Sequence, residues 1–127
     1  MEQTIEGPQA HYFKGLASGV FEIQHCRDCG MNQFFPRVLC HHCGGTSLEW
    51  MLPSGAGVIY SYSIVRRKLE SGGDYNVVLV DLEEGVRVMS SVQGIEQNRI
   101  FIGMPVRAYV EVNEGTGTLY FKMEESA

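Results

Sequence analysis

Apolar and polar positions follow two rhythms along this chain, and the change comes near residue 50. In "PQAHYFKGLASGVFEIQHC", Tyr12, Phe13 and Leu16 recur at helical spacing, followed by Val20, Phe21 and Ile23. Pro8 suits a first helical turn and Gly19 suits the position just past an end. The pattern predicts one short helix. Its apolar face is too large to leave in water, so either this chain's own core or a partner surface must cover it.

Downstream the rhythm shortens to two. In "GVIYSYSIVRR", Val58, Tyr60, Tyr62 and Ile64 alternate with Ile59, Ser61, Ser63 and Val65. In "YNVVLVDLEEGVRVMSSV" two apolar runs flank Glu84-Gly85, the signature of a tight hairpin. "MPVRAYVEV" alternates again, and "TLYFKM" follows the glycine-rich turn "NEGTG". Between the third and fourth strands, "GIEQNRIFIG" has room for a helical turn. Five strands with one irregular connection match a small Greek-key barrel of the OB type, whose closure removes exposed edges. An open meander or another small barrel fits the same pattern. The fold class expected is mainly β, with a helical segment over 1–24, a metal-bearing segment over 25–52 and the barrel over 53–127.

The segment between the two rhythms carries all four cysteines. "CRDCGMNQFFPRVLCHHC" contains two C-x-x-C pairs, Cys26 with Cys29 and Cys40 with Cys43, each followed by glycine. A C-x-x-C turn aims two sulfurs at one ion, and glycine lets the chain leave the turn without a Cβ clash. Two such turns complete a tetrahedral sulfur shell, with bonds of about 2.3 Å for zinc. The intervening loop is long enough to form a ribbon with Phe34, Phe35 and Leu39 as its roof. Four sulfurs leave no position open for water or substrate, so structural zinc is the expectation. Rubredoxin-type iron uses the same ligands, and a dithiol redox pair is the third reading.

Composition narrows the setting. The 127 residues, 44% hydrophobic, suffice for one compact domain or one domain plus a small metal-organised module. No apolar run approaches the roughly 20 residues needed to cross a membrane. The start, "MEQTIEGPQAHYFKG", is acidic and polar and shows no signal peptide, so a cytoplasmic protein is expected. There, C-x-x-C pairs favour metal or redox chemistry over structural disulfides. The formal charge of -5 becomes about -7 with four thiolates and one dication, which opposes loose binding to phosphate backbones.

Catalytic chemistry finds little purchase. His25, His41 and His42 adjoin the cysteines and read as supporting groups, substitute ligands or exposed loop residues, while His11 reads as a surface or packing residue of the helix. No serine sits in a nucleophile elbow, and no glycine-rich phosphate loop precedes a helix. Glu83 and Glu84 fall at the hairpin turn, where solvated charge is ordinary. The basic run Arg66, Arg67 and Lys68 is either a solvated loop or an anion site, with Arg87 or Arg107 as neighbours. A nucleic-acid reading would add base stacking by Tyr60, Tyr62 and Tyr109.

These pieces together resemble the zinc-ribbon/OB-fold acyl-CoA-associated proteins, long catalogued as domain of unknown function thirty-five. The resemblance covers nearly the whole chain. It rests on the four cysteines, the Gly55-x-Gly57 turn before Tyr60-Ser61, the Leu82-to-Gly85 hairpin and Gly103-x-Pro105-Val106. It implies an N-terminal helix, a rubredoxin-like zinc ribbon and a C-terminal OB barrel. It also implies a non-catalytic accessory subunit, accompanying thiolase-like acyltransferases or acyl-CoA hydratases and aldolases, whose partner holds the catalytic residues. Two positions depart from the family pattern: His41 replaces a proline after the third cysteine, and Gly73-Asp74-Tyr75 replaces a proline-aromatic step.

The resulting expectation is a scaffold subunit, most simply of a thiolase-fold acyltransferase. Phe13, Leu16, Phe34 and Phe35 are its docking candidates, and Arg66, Arg67 and Lys68 are its candidate contacts to CoA phosphates. A nucleic-acid-binding module and a small thioesterase are the competing classes. The acidic charge opposes the first, and the second lacks a nameable nucleophile.

Overall fold

A computed structural model describes residues 7–124; the first six residues of the expected N-terminal segment and residues 125–127 lie outside it. Helix α1 spans Pro8–Ala17 with Pro8 in its first turn. It ends in a Schellman motif: the Val20 amide donates to the Gly15 carbonyl and the Gly19 amide to Leu16, with Gly19 at φ +82°. Tyr12 and Leu16 are its buried residues.

Eight strands follow: β1 (Ile23–Cys26), β2 (Asn32–Gln33), β3 (Leu48–Met51), β4 (Ala56–Val65), β5 (Tyr75–Leu82), β6 (Arg87–Ser90), β7 (Pro105–Asn113) and β8 (Thr116–Met123). The protein is mainly β, and its strands form two sheets, one ordered β2-β1-β3 and one ordered β6-β5-β4-β7-β8. The chain divides into two compact units. One comprises Met1–Pro53 with Val110–Thr118, and the other Ser54–Tyr109 with Leu119–Ala127.

Within the first unit, β1 pairs antiparallel with both short neighbours, Gln24 opposite Gln33 on one side and Trp50 on the other. The tip of the β7–β8 hairpin, with Glu114 and Gly115 both at positive φ, belongs to this unit. It covers α1 so closely that a Cβ on Gly117 would overlap the Leu16 carbonyl. Leu16 is itself 3% exposed. The docking role expected for Leu16 is therefore withdrawn: the helix face there is covered from within.

In the second unit the strand order and an added parallel bridge make a nearly closed OB barrel. Val92 bridges Phe121, with the Phe121 amide donating to Ser91 and the Gln93 amide to Phe121. The inward residues of β5 alternate strictly: Asn76, Val78, Val80 and Leu82. With Ile59, Val88, Met104, Val106 and Phe121 they fill the interior. Gly57 is required where β4 crosses this core, since a Cβ there would meet the Asp81 carbonyl and the Val80 side chain. A register shift between Ile59 and Ser61 then resolves the alternation in β4. Ile59 is 1% exposed and Val58, opposite Asp81, faces outward; Tyr60 sits exposed at the shift, and beyond it Tyr62 and Ile64 share the face of Val78 and Asn76. The connection expected to hold a helical turn has a 3-10 turn at Gln97–Arg99. Asn76 secures it, donating to the Val92 carbonyl and to the Gln97 side chain while accepting from the Val92 amide.

Candidate metal centre

The two C-x-x-C segments fold as near copies of one turn. The Gly30 amide donates to Cys26 and the Gly44 amide to Cys40; the Cys26 amide donates to Met31 and the Cys40 amide to Gly45. Gly30 and Gly44 both sit at φ +77°, a conformation that penalises any side chain with a Cβ. Amides of His42 and Gly45 reach the sulfurs of Cys40 and Cys43 at 3.4 Å. The second turn therefore stabilises its sulfurs with main-chain N–H groups, and in each turn the first cysteine is buried and the second exposed.

The four sulfurs all lie within 4.8 Å of one another. Cys26 to Cys43 and Cys29 to Cys40 are each 3.7 Å apart. A tetrahedron with metal–sulfur bonds of about 2.3 Å has edges of about 3.8 Å, so the cluster has the size such an ion requires. A covalent disulfide would bring two sulfurs far closer, to about 2 Å.

Protonation favours the same conclusion. Burial resists ionisation of Cys40, but the amides of Cys43 and His42 and the thiols of Cys29 and Cys43 outweigh it and pull Cys40 down to about 6. The Gly45 amide favours the Cys43 thiolate, yet the Cys26 sulfur, burial and the remaining thiols outweigh it and push Cys43 up to about 12. Thiolates packed this closely in the quartet repel one another. A dication at its centre lets all four ionise. The donor set fits a structural metal.

The histidines find other partners. His25 Nδ1 lies 2.7 Å from Asn32 Oδ1, His41 Nδ1 lies 3.1 Å from Gln33 Oε1, and His42 Nε2 lies 3.3 Å from the Asn32 carbonyl. His11 lies 3.0 Å from Glu22 and stacks on Trp50 with centroids 4.2 Å apart. Among the described residues, only the four cysteines gather as a metal-type cluster.

The loop between the turns departs from the expected roof. Phe34 and Phe35 pack edge-on against Tyr12, each with centroids 5.4 Å away, and Phe13 and Phe21 extend this aromatic group. Leu39 is half-exposed. The aromatics thus hold α1 to the ribbon. Two buried glutamines, missed in the sequence, fix the loop. Gln33 donates to Gln24 at 2.6 Å and accepts from the His41 amide, while Gln24 pairs with both the amide and the carbonyl of Arg37. Gln24 and Gln33 are 4% and 1% exposed, a polar clasp beside the sulfurs.

The basic run is largely occupied. Arg66 reaches Asp74 at 2.7 Å, and Arg67 donates to the Gly73 carbonyl and stacks over Tyr75. Arg87 pairs with Asp81 while lying over Tyr60, and Arg107 pairs with Glu124.

Comparison with known proteins places both units. The description of the ChsH2 rubredoxin-like zinc ribbon domain matches residues 13–49, and that of the ChsH2 C-terminal OB-fold domain matches residues 50–111. The chain is 32% identical over 105 residues to a probable enoyl-CoA hydratase alpha subunit of Thermomonospora curvata, covering 81% of this chain and 33% of that one. It is 40% identical over 83 residues to a DUF35 domain-containing scaffold protein of Methanothermobacter thermautotrophicus, covering 61% and 62%. Among solved structures, the Ltp2-ChsH2(DUF35) aldolase superposes with a TM-score of 0.82 at 28% identity, covering 96% of this chain and 98% of that one. The chain thus spans about a third of the hydratase subunit's length.

Proposed function

The chain belongs to the DUF35 family of ChsH2-type zinc-ribbon and OB-fold proteins, and from that membership we propose that it is a non-catalytic scaffold subunit of an acyl-CoA-processing complex in the cytoplasm. The observation that carries this reading is the near full-length superposition on the DUF35 chain of the Ltp2-ChsH2 aldolase. The names of the relatives support a hydratase or aldolase subunit as partner. A thiolase-fold acyltransferase stays within the proposal on the family resemblance alone.

The residues that would hold the metal are Cys26, Cys29, Cys40 and Cys43, and zinc is the ion proposed, with iron as the alternative. Zinc bound there supplies folding energy rather than a reaction, since four sulfurs leave it no open position. Phe13, 55% exposed, is the docking candidate most accessible to a partner; Phe34 and Phe35 first serve α1. Direct contact of Arg66, Arg67 and Lys68 with CoA phosphates is the least supported part, because the Arg66 side chain already binds Asp74 and that of Arg67 donates to the Gly73 carbonyl and lies over Tyr75.

Co-purification of the tagged chain from its own source, with mass spectrometry and metal analysis of the eluate, tests the proposal. A stoichiometric acyl-CoA enzyme subunit and one zinc per chain are expected. Acyl-CoA turnover by the isolated chain would overturn the non-catalytic role.

A further inference from the structure

Strand β4 changes neighbours halfway along. Ala56–Val58 lie between β5 and β7, and Ile59 ends that ladder by donating to the Met104 carbonyl and accepting from the Gly103 amide. From Tyr60 to Val65 the strand pairs with β5 alone. On the opposite edge its main chain finds no hydrogen-bond partner among the described residues. An antiparallel ladder directs alternate residues to each side, so a row of N–H and C=O groups about 20 Å long faces that edge.

Such edges ordinarily carry charge, proline or a covering segment. This one reads "YSYSIV", without charge, proline or glycine. Tyr60 and Tyr62 are half-exposed on it, and Phe101 and Ile102 stand exposed where the chain diverges at Gly103. At the other end begins the basic run. The Arg66 side chain is 80% exposed despite its bond to Asp74, and Lys68 is exposed with no ion pair among the described residues.

We propose that this edge accepts an extended segment of the partner subunit as an added strand, antiparallel to β4, with an acidic residue at the guest's N-terminal end facing Arg66 and Lys68. Only another main chain supplies donors and acceptors in register with a strand edge. The antiparallel direction sets the guest's N-terminal end beside the C-terminal end of β4, where Lys68 has no ion pair among the described residues and Arg66, though bonded to Asp74, keeps an exposed side chain. Phe101 and Ile102 flank the guest's apolar side chains. A second copy of this chain is a poorer guest. Pairing Tyr60 with Val65 across a two-fold axis would set Ile59, Val58 and Gly57 against Arg66, Arg67 and Lys68. Those three residues are uncharged and already committed to the β7 side. The inference deepens the scaffold reading, because it names the chemistry of the segment the partner offers.

Hydrogen exchange read by mass spectrometry tests it on the full chain, with the acetylated, amidated peptide Glu-Glu-Thr-Val-Thr-Val-Thr as probe. Saturable binding should slow exchange across Tyr60–Val65. Methylation of the peptide's edge-facing amides should abolish the effect, and the R66Q/K68Q double variant should weaken binding at least fivefold. Protection elsewhere, no binding, or equal binding of the methylated peptide would overturn the inference. So would concentration-dependent protection of Tyr60–Val65 in the chain alone, which would identify a second copy as the guest. In the co-purified complex, Ser63→Lys should release the enzyme subunit. Retention of that subunit would sink the edge assignment while the scaffold reading stood. Peptide binding without any co-purifying enzyme would sink the scaffold reading and leave the edge intact.

Discussion

The two units of this chain solve the problem of a small core in opposite ways. The barrel unit buries Ile59, Val78, Val80, Val88, Val106 and Phe121, an almost wholly apolar interior assembled by strand alternation. The ribbon unit buries cysteine sulfur and two glutamines beside a handful of aromatics. Its three strands are two to four residues long, too short to hold together by pairing alone. Hydrophobic burial is the principal support of the first and ligand bonds of the second, so the two should fail under different insults.

The largest effect expected follows from metal loss. Metal binding contributes on the order of 10 kcal/mol in small zinc modules, more than such a ribbon can replace. Chelation, or Cys26→Ser combined with Cys40→Ser, should expose the ribbon to protease while the barrel amides stay protected from exchange. Unchanged cleavage around Arg27 and Arg37 after complete metal removal would refute the contrast. Its mirror image is Phe121→Ala at a fully buried barrel position. The cavity should cost about 3–5 kcal/mol, lowering the denaturation midpoint of the barrel while one metal per chain is retained.

The difference in support also explains what the sequence disclosed. Cysteine spacing disclosed the metal quartet because C-x-x-C followed by glycine is a local geometric requirement, met here at Gly30 and Gly44. Period-two alternation disclosed the barrel strands because each side chain's face depends on its own neighbours. It left the outward face of β4 unsettled, since the register shift at Ile59 depends on how β5 pairs. Leu16 looked like a docking residue because nothing local shows that the chain at Gly117, a hundred residues away, packs against the backbone of this helix turn. The glutamines were legible only in outline: Gln24 lies between apolar Ile23 and Cys26 on β1, but nothing local names Arg37 as its partner. Asn76 had a clearer signal, sharing the inward parity of Val78 and Val80.

Gln33 tests the polar side of the comparison at smaller scale. Gln33→Ala leaves the His41 amide without its acceptor and the Leu39 carbonyl without its donor. The expected cost is about 1–3 kcal/mol, confined to the ribbon. Exchange at residues 37–41 should quicken while the metal content is unchanged. If the barrel loses as much stability as the ribbon, the two units are not independent in the way their cores suggest.

The smallest effect lies in the barrel's charged loop. The Arg66 side chain donates to Asp74 at 2.7 Å and the Arg67 amide at 3.1 Å, and these bonds hold the Asp74 carboxyl below the usual carboxylate range. A lowered folded value means the ionised form is the one the fold favours. Its contribution is therefore fully present above the unfolded value of about 3.9 and disappears as pH falls through the folded one. The site is exposed and the effect modest. Between pH 5 and 2, amide resonances of residues 67–75 should shift together with a midpoint below that of a free aspartate. Asp74→Asn should remove this acid limb and leave the ribbon's resonances at neutral pH where they were. A midpoint at the free value would mean that Arg66 is not held by Asp74 in solution, and would leave both cations of the β4 edge fully available to a guest carboxylate.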